Sequence, residues 1–246
     1  MISSDLGYIL GAVVGDGFIN DSSIGMNIKD KDFALSFKEA FEREFKKEGK
    51  LHFYNGLWRI IFHSVELVKS FRNFDTINLV NKGNKEVKGA FLRGFFDSEG
   101  SVYLRIIRGK GISSRRIEIS NKNYELLSFC KNLLEGLEIK TREIEKRIRK
   151  ERMLKNRILP VSEYFRFTLK EDKNNFLRFR NLVGFSINRK QEKLEAIINS
   201  YLTYRSKWGN LKNEVLEFRK NNRYTEVRKK FNFLPKSTIN RWLYNY

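Results

Sequence analysis

The sequence has little of what secreted, metal-stapled or membrane proteins rely on. Of 246 residues one is cysteine, Cys130, so no disulfide framework can form. Two histidines, His52 and His63, with that single cysteine fall short of the usual four-ligand zinc site. Cys130 reads as a core residue. No apolar stretch reaches about 18 residues without a charge, which excludes a spanning helix, and no concentrated basic amphipathic helix marks a membrane-surface binder. Residues 1–5 lack a basic region, and the apolar run behind them is short and glycine-interrupted, unlike a signal peptide. The expected setting is therefore intracellular, in cytoplasm or an organelle matrix. Acid is scarce too: 49 Lys and Arg stand against 29 Asp and Glu, a net charge of +20. Spread over most of the chain, that charge points to a polyanionic partner; a soluble protein that is merely basic is the bland alternative.

What is present is a repeat. With 41% hydrophobic residues the chain can bury one large core or two modest ones. Near the start stands Ile9-Leu-Gly-Ala-Val-Val-Gly-Asp-Gly17, and later Leu92-Arg-Gly-Phe-Phe-Asp-Ser-Glu-Gly100, each an apolar helix ending in an acid followed by glycine. The same succession follows both. In the first half, residues 18–29 read as a hairpin turning at 21–23, residues 33–45 as a helix, and residues 51–63 as a hairpin around Asn55-Gly56. Ser64 then caps a short helix through Phe71. In the second half, residues 101–120 form a hairpin with a Gly109-Lys110-Gly111 turn, residues 124–134 a helix, residues 138–169 a longer hairpin with a basic tip at 146–157, and two helices follow. Trp58, Ile60 and Phe62 alternate with Arg59 and His63, and Phe165, Phe167 and Leu169 with Arg166 and Thr168. One face is core. The other is polar and basic, either half-solvated as antiparallel sheets often are or a surface for nucleic acid.

Beyond Tyr204 the pattern changes. Trp208-Gly209 looks like a hinge into a unit at 205–246 that holds eleven Lys or Arg against three Glu. Residues 215–220, 225–231 and 237–244 read as three helices with a turn at 232–235. The last helix, opening at Lys236-Ser237-Thr238 and carrying Arg241, resembles the recognition helix of a helix-turn-helix; a plain three-helix cap would show the same apolar spacing.

The two motifs and the elements behind them resemble the LAGLIDADG homing endonucleases of the single-chain, two-motif type, over roughly residues 1–204. The resemblance implies an α+β fold of two pseudo-symmetric αββαββα repeats, at 1–84 and 85–204, with saddle-shaped antiparallel sheets, followed by the small all-α unit at 205–246. It implies metal-dependent double-strand cleavage of a long DNA site by a monomer, since both motif helices lie in one chain. Gly11 and Gly15 lie four apart, as do Gly94 and Ser98, so each helix offers a strip of small residues for close packing. Asp16 and Glu99 then meet at two helix C-termini, where the dipole is already negative. A divalent cation, expected as Mg²⁺, relieves that cost with help from the Gly15 and Ser98 carbonyls.

Asp97, two residues before Glu99, reads as structural. In the family, basic or amide residues border the active site near the end of each second strand; by position these are Asp30 and Lys31, and Asn121 and Lys122. Asn188-Arg189-Lys190 resembles another family segment near the centre of the DNA, with Lys190 the choice for catalysis; only Lys82-Gly83-Asn84-Lys85 stands opposite in the first half. Sheets of this kind lie along the major groove, and Asn27, Lys29, Arg59, His63, Arg105, Arg116, Arg166 and Thr168 are the candidates to face it. The rival readings are a DNA-binding regulator built on a LAGLIDADG-derived core and an RNA-binding intron maturase. No splicing-type Cys, Ser or Thr opens the chain and no His-Asn closes it, so an intron-encoded or free-standing gene is expected over an excised intein.

Overall fold

The computed structural model describes residues 2–107, 111–154, 157–232, 234 and 236–244. Helix α1 (Ser4–Asp16) starts where the Ser3 hydroxyl accepts the Leu6 N–H at 2.9 Å, an N-cap that satisfies one of the free donors of the first turn. It runs without a loop into β1 (Gly17–Ile19), then β2 (Ser23–Ile28), α2 (Lys31–Phe45), β3 (Lys50–Tyr54), β4 (Leu57–His63), α3 (Val65–Asn73) and α4 (Thr76–Asn81). The course repeats as α5 (Lys85–Glu99), β5 (Gly100–Ile107), β6 (Gly111–Asn121), α6 (Tyr124–Gly136), β7 (Glu145–Arg149), β8 (Arg152–Leu154), β9 (Arg157–Leu159), β10 (Ser162–Thr168) and α7 (Lys173–Leu182). Three helices follow: α8 (Asn188–Asn221), α9 (Tyr224–Lys230) and α10 (Lys236–Tyr244).

The strand orders are β1-β2-β4-β3 and β5-β6-β10-β7, matching position for position. This is the expected α+β fold of two repeats. The difference is an insertion: β8 and β9 pair only with each other, between two strands that pair across them. The β3–β4 turn has φ of 50° at Asn55 and 78° at Gly56, left-handed at both central residues, which is why an Asn-Gly pair stands there. Alternation holds as read from the sequence. Ile24, Met26, Ile60 and Phe62 are buried on one face of the first sheet, and Ile117, Ile119 and Phe167 on one face of the second.

Two compact units are present, one of Met1–Val102 with Arg116–Leu194, the other of Tyr103–Arg115 with Glu195–Tyr246. The second has its own small core of Val215, Val227, Phe231, Leu234 and Ile239, flanked by Leu211, Phe218, Tyr224 and Trp242. The sequence pattern places a hinge at Trp208-Gly209, yet α8 is continuous through both residues. One glycine costs a helix interior only about 1 kcal/mol relative to alanine, which a helix of 34 residues absorbs. Helix α4 was not legible as a separate element; the Asp75 carboxylate caps it by accepting the Asn78 N–H at 3.1 Å. Gly109 and Lys110 of the expected turn, Lys155 and Asn156 of the basic tip, and Phe233 and Pro235 of the tail turn lie outside the described residues.

Candidate active site and nucleic-acid interface

The site is built on the contact between α1 and α5. A Cβ on Gly11 would lie 2.0 Å from the Phe91 carbonyl oxygen, and one on Gly94 would lie 2.3 Å from that of Tyr8. The two backbones therefore touch, and any side chain at these positions would force them apart. The strip runs further back than the motif spacing predicts, to Gly7 against the Val87 carbonyl. At its other end a Cβ on Gly15 would meet Ser98 Cβ at 2.3 Å. Gly17 and Gly100 follow the helix ends in ordinary extended conformation, so clearance, rather than φ, calls for glycine. A Cβ at Gly100 would meet the Phe96 carbonyl at 2.4 Å, and one at Gly17 the Val13 carbonyl at 2.6 Å.

This contact brings the last residue of each helix, Asp16 and Glu99, into mutual electrostatic range. The Glu99 carboxyl is pushed up to about 7, first by burial and then by the charge of Asp16. Asp16 keeps an accessible rim, but the helix ends around it remove enough water to raise its pKa, against the pull of Lys190 and a hydrogen bond from Ser98. Asn121 Nδ2 donates to Glu99 Oε1 at 2.8 Å. Lys190 is buried, with Nζ donating to the Phe96 carbonyl at 3.0 Å and to the Asp97 carbonyl. Burial lowers its pKa to about 8, with Asp97, Asp30 and Asp16 opposing the shift. The expected residues Asp16, Glu99, Gly15, Ser98, Asn121 and Lys190 thus converge.

The remaining candidates make other contacts. Lys122 is exposed, and Lys31 is also exposed, its ammonium 4.9 Å from the centre of the Trp58 ring. Asp30 accepts both Arg189 Nε at 2.6 Å and Arg189 Nη2 at 2.7 Å, and this fork holds its carboxyl below the usual range. Asp32 accepts the Asn188 N–H at 2.5 Å. The start of α2 in the first repeat thereby grips the start of α8. A second grip comes from Asp97, buried and accepting the Ser186 N–H at 3.1 Å, the Ser186 hydroxyl at 2.6 Å and the Tyr8 hydroxyl at 3.3 Å. Burial still pushes the Asp97 carboxyl up to about 6. Together these contacts set where Lys190 enters. Sequence reasoning missed Ser186 and gave Arg189, inside the Asn188-Arg189-Lys190 segment, no role of its own, because their partners are 89 and 159 residues away.

As for a cation, the donors present are hard oxygens, carboxylates and helix-end carbonyls, which suit Mg²⁺. Two carboxylates that resist ionising beside each other gain most from one. Among the described residues no group of three or more His, Cys, Asp or Glu exists that would hold a metal by itself. A resident ion would thus share its coordination with main chain and solvent.

Candidate groove-facing residues divide by sheet. Asn27, Lys29, Arg59 and His63 are exposed in the first repeat, and Asn27 pairs across the sheet with Arg59. In the second, Arg116, Arg166 and Thr168 share a face with Glu118. Arg105 is exposed on β5. In the small unit Lys236, Ser237 and Arg241 are exposed and Thr238 half-buried, while Ile239 fills the core. Among the described residues no helix is long and apolar enough to cross a membrane.

A chain with two such repeats and paired acid-tipped helices has the two-repeat LAGLIDADG architecture. Comparison with known proteins agrees. Residues 86–184 match the model of the LAGLIDADG-like domain. An uncharacterized protein of Methanocaldococcus jannaschii is 30% identical over 212 residues, 80% of this chain and 73% of that protein. The glutamine–fructose-6-phosphate aminotransferase of the same organism is 26% identical over 209 residues, which are 79% of this chain but 17% of the aminotransferase. The crystal structure of full-length DUF199/WhiA from Thermatoga maritima overlaps 98% of this chain and 88% of its own, with a TM-score of 0.51 at 16% identity, a likeness of fold. The chain belongs to the LAGLIDADG family.

Proposed function

We propose that this chain is a site-specific DNA endonuclease that hydrolyses one phosphodiester in each strand of a long duplex target. The observation that carries the reading is the juxtaposition of Asp16 and Glu99 at the ends of two helices whose backbones touch, where burial raises both carboxyls and the charge of Asp16 raises Glu99 further. A fold that needed only to bind DNA would gain nothing from like charges at abutting helix ends facing a polyanion. Asp16 and Glu99, with the carbonyls of Gly15 and Ser98, would hold Mg²⁺. When bound there, Mg²⁺ would supply neutralisation of the phosphate and activation of water. Asn121 fixes the Glu99 carboxylate so that it does not swing toward solvent. Lys190, held beside both acids, offsets negative charge gathering on the phosphate. Each cut consumes one water and leaves one phosphomonoester and one hydroxyl. Both helices come from one chain, so a monomer suffices.

The match inside the aminotransferase supports the homing part of the reading. The matched stretch makes up 79% of this chain but 17% of the aminotransferase, as a module carried within a longer, differently named protein would. A second reading, a DNA-binding regulator, draws on the overlap with full-length WhiA, which runs through the tail as well as the core. The test is incubation of the protein with a randomised duplex library, in Mg²⁺ and in EDTA, and sequencing of the ends produced. Ends at one sequence, on both strands and only in Mg²⁺, are the expected result. Retention of a sequence without cleavage favours the regulator, and, in a parallel incubation with structured RNA, retention of RNA but no duplex DNA favours the maturase.

A further inference from the structure

The two sheets differ in one respect that generic phosphate binding does not explain. Strands β1 to β4 contain no Asp or Glu, whereas β6 and β7 place Glu118 and Glu145 on the same face as the arginines. Register settles the faces: Arg166 stands opposite Ser120 on β6 and Glu145 on β7, and Thr168 stands opposite Glu118, while Ile117, Ile119 and Phe167 turn to the core. On that outer face Arg166 Nη1 lies 3.7 Å from Glu118 Oε2 and Arg166 Nη2 donates to Glu145 Oε2 at 3.4 Å. Arg116 Nη1 donates to Glu118 Oε2 at 3.4 Å, and Arg147 Nη2 to Glu145 Oε2. The Arg166 Nε is buried with no acceptor, so the stem is packed and the fork is held at its tip.

An acid on a surface meant for a polyanion lowers affinity for every sequence alike. What it returns is order: a guanidinium shared between two carboxylates keeps its plane and direction, and less freedom is lost when it meets a planar acceptor pair. Arginine finds such a pair on a base edge at guanine O6 and N7; the fork pairs with phosphate oxygens too, but a phosphate contact carries no sequence information, so only at the base edge does a fixed direction become specificity. The first sheet has the opposite make-up. Phe18, Leu57 and Ile61 interrupt its polar outer face, Gly25 leaves room for the Phe18 ring, and the Arg59 guanidinium lies 5.9 Å from the ring centre.

We propose that Glu118 and Glu145 are specificity-determining residues: they orient Arg166, flanked by Arg116 and Arg147, to read guanine in the target half that lies against the second sheet. The half against the first sheet is read through thymine methyls by Phe18, Leu57 and Ile61 and through adenine by Asn27. This rests on the endonuclease reading, and the test keeps the two separable. The full-length chain is used to retain duplexes from a randomised library in EDTA, and retained sequences are compared for wild type, Glu118→Gln and Arg166→Lys. The expected wild-type site is richer in G·C in one half than in the other. Both variants lose the guanine preference at the same few positions by about 5- to 150-fold, the range a good bidentate contact confers, and Glu118→Gln binds arbitrary duplex as tightly as wild type or tighter. Unchanged base frequencies in both variants overturn the proposal, as does a uniform loss of binding in Glu118→Gln, which marks a merely structural acid. A wild-type chain that retains no duplex sequence removes the endonuclease reading and this inference with it, a result read on the wild type alone.

Discussion

Asp16 and Glu99 end equivalent helices and both feel Lys190, yet their hydrogen-bond partners differ. Glu99 is held by an amide from its own repeat, Asn121, while Asp16 is approached by Ser98 from the opposite helix. Two residues before Glu99 stands Asp97, buried in a knot with Ser186 and Tyr8; two residues before Asp16 stands Val14, 36% exposed. A lysine arrives from the second repeat's exit into α8 and has no counterpart at Lys82-Gly83-Asn84-Lys85, where Asn84 caps α5 instead. The two repeats share what the backbone must do, which is to let two helices touch and two sheets form. They do not share what side chains do around the acids, because only the backbone contact belongs to both halves and so constrains both.

The comparison is broken most severely at the shared contact. Gly11→Val or Gly94→Val places atoms inside the partner helix's backbone, so the expected loss is about 4 kcal/mol or more; Gly136→Ala, where a Cβ meets nothing within 4 Å, should be neutral or stabilise by up to about 1 kcal/mol. Urea unfolding of the three variants checks this. Next comes the second repeat's own knot: Ser186→Ala leaves Asp97 short of a donor in a buried place and should cost about 1–3 kcal/mol, whereas Val14→Thr should cost less than about 0.5 kcal/mol.

The acids differ from ordinary carboxylates in the sign of their pH effect. Glu99 has a folded pKa of about 7 against an ordinary 4.5, so the folded state binds more protons and stability falls as pH rises through that window. Asp97, shifted from 3.8 to about 6, acts in the same direction at lower pH. Melting temperature in EDTA should therefore decline between about pH 4.5 and 7, Glu99→Gln should flatten the upper part of the decline, and Mg²⁺ should raise the melting temperature of wild type more than that of the variant. A rising curve would contradict the account. The smallest effect is expected in the tail, where removing Lys236 and Arg241 together should lower the salt dependence of DNA binding by about two phosphate contacts without altering the sequence retained.

Much of this was legible in the residues. Glycine at Gly11, Gly15 and Gly94 with Ser98 states a close helix pair, Asn55-Gly56 states its turn, and alternation at Ile60 and Phe62 states the buried face. These are local signals whose cause lies within a few residues. Lys190 was readable only through the family resemblance, and nothing local marks it as buried. Ser186, Arg189 and the two acid forks on the second sheet were hidden, since each acquires its meaning from a partner that the fold, rather than the sequence, makes adjacent. The continuity of α8 was masked by Gly209, a helix breaker by habit that a long helix tolerates.

The most direct measurement follows both strands of the selected DNA site in Mg²⁺ with wild type, Asp16→Asn and Glu99→Gln, at protein levels where all three are folded by circular dichroism. If the two helix ends form one cation-dependent centre, each variant loses double-strand cleavage by at least about 100-fold and still binds the site. If either variant cuts both strands at the wild-type rate, the paired carboxylates are not the centre and the function assigned to them is wrong.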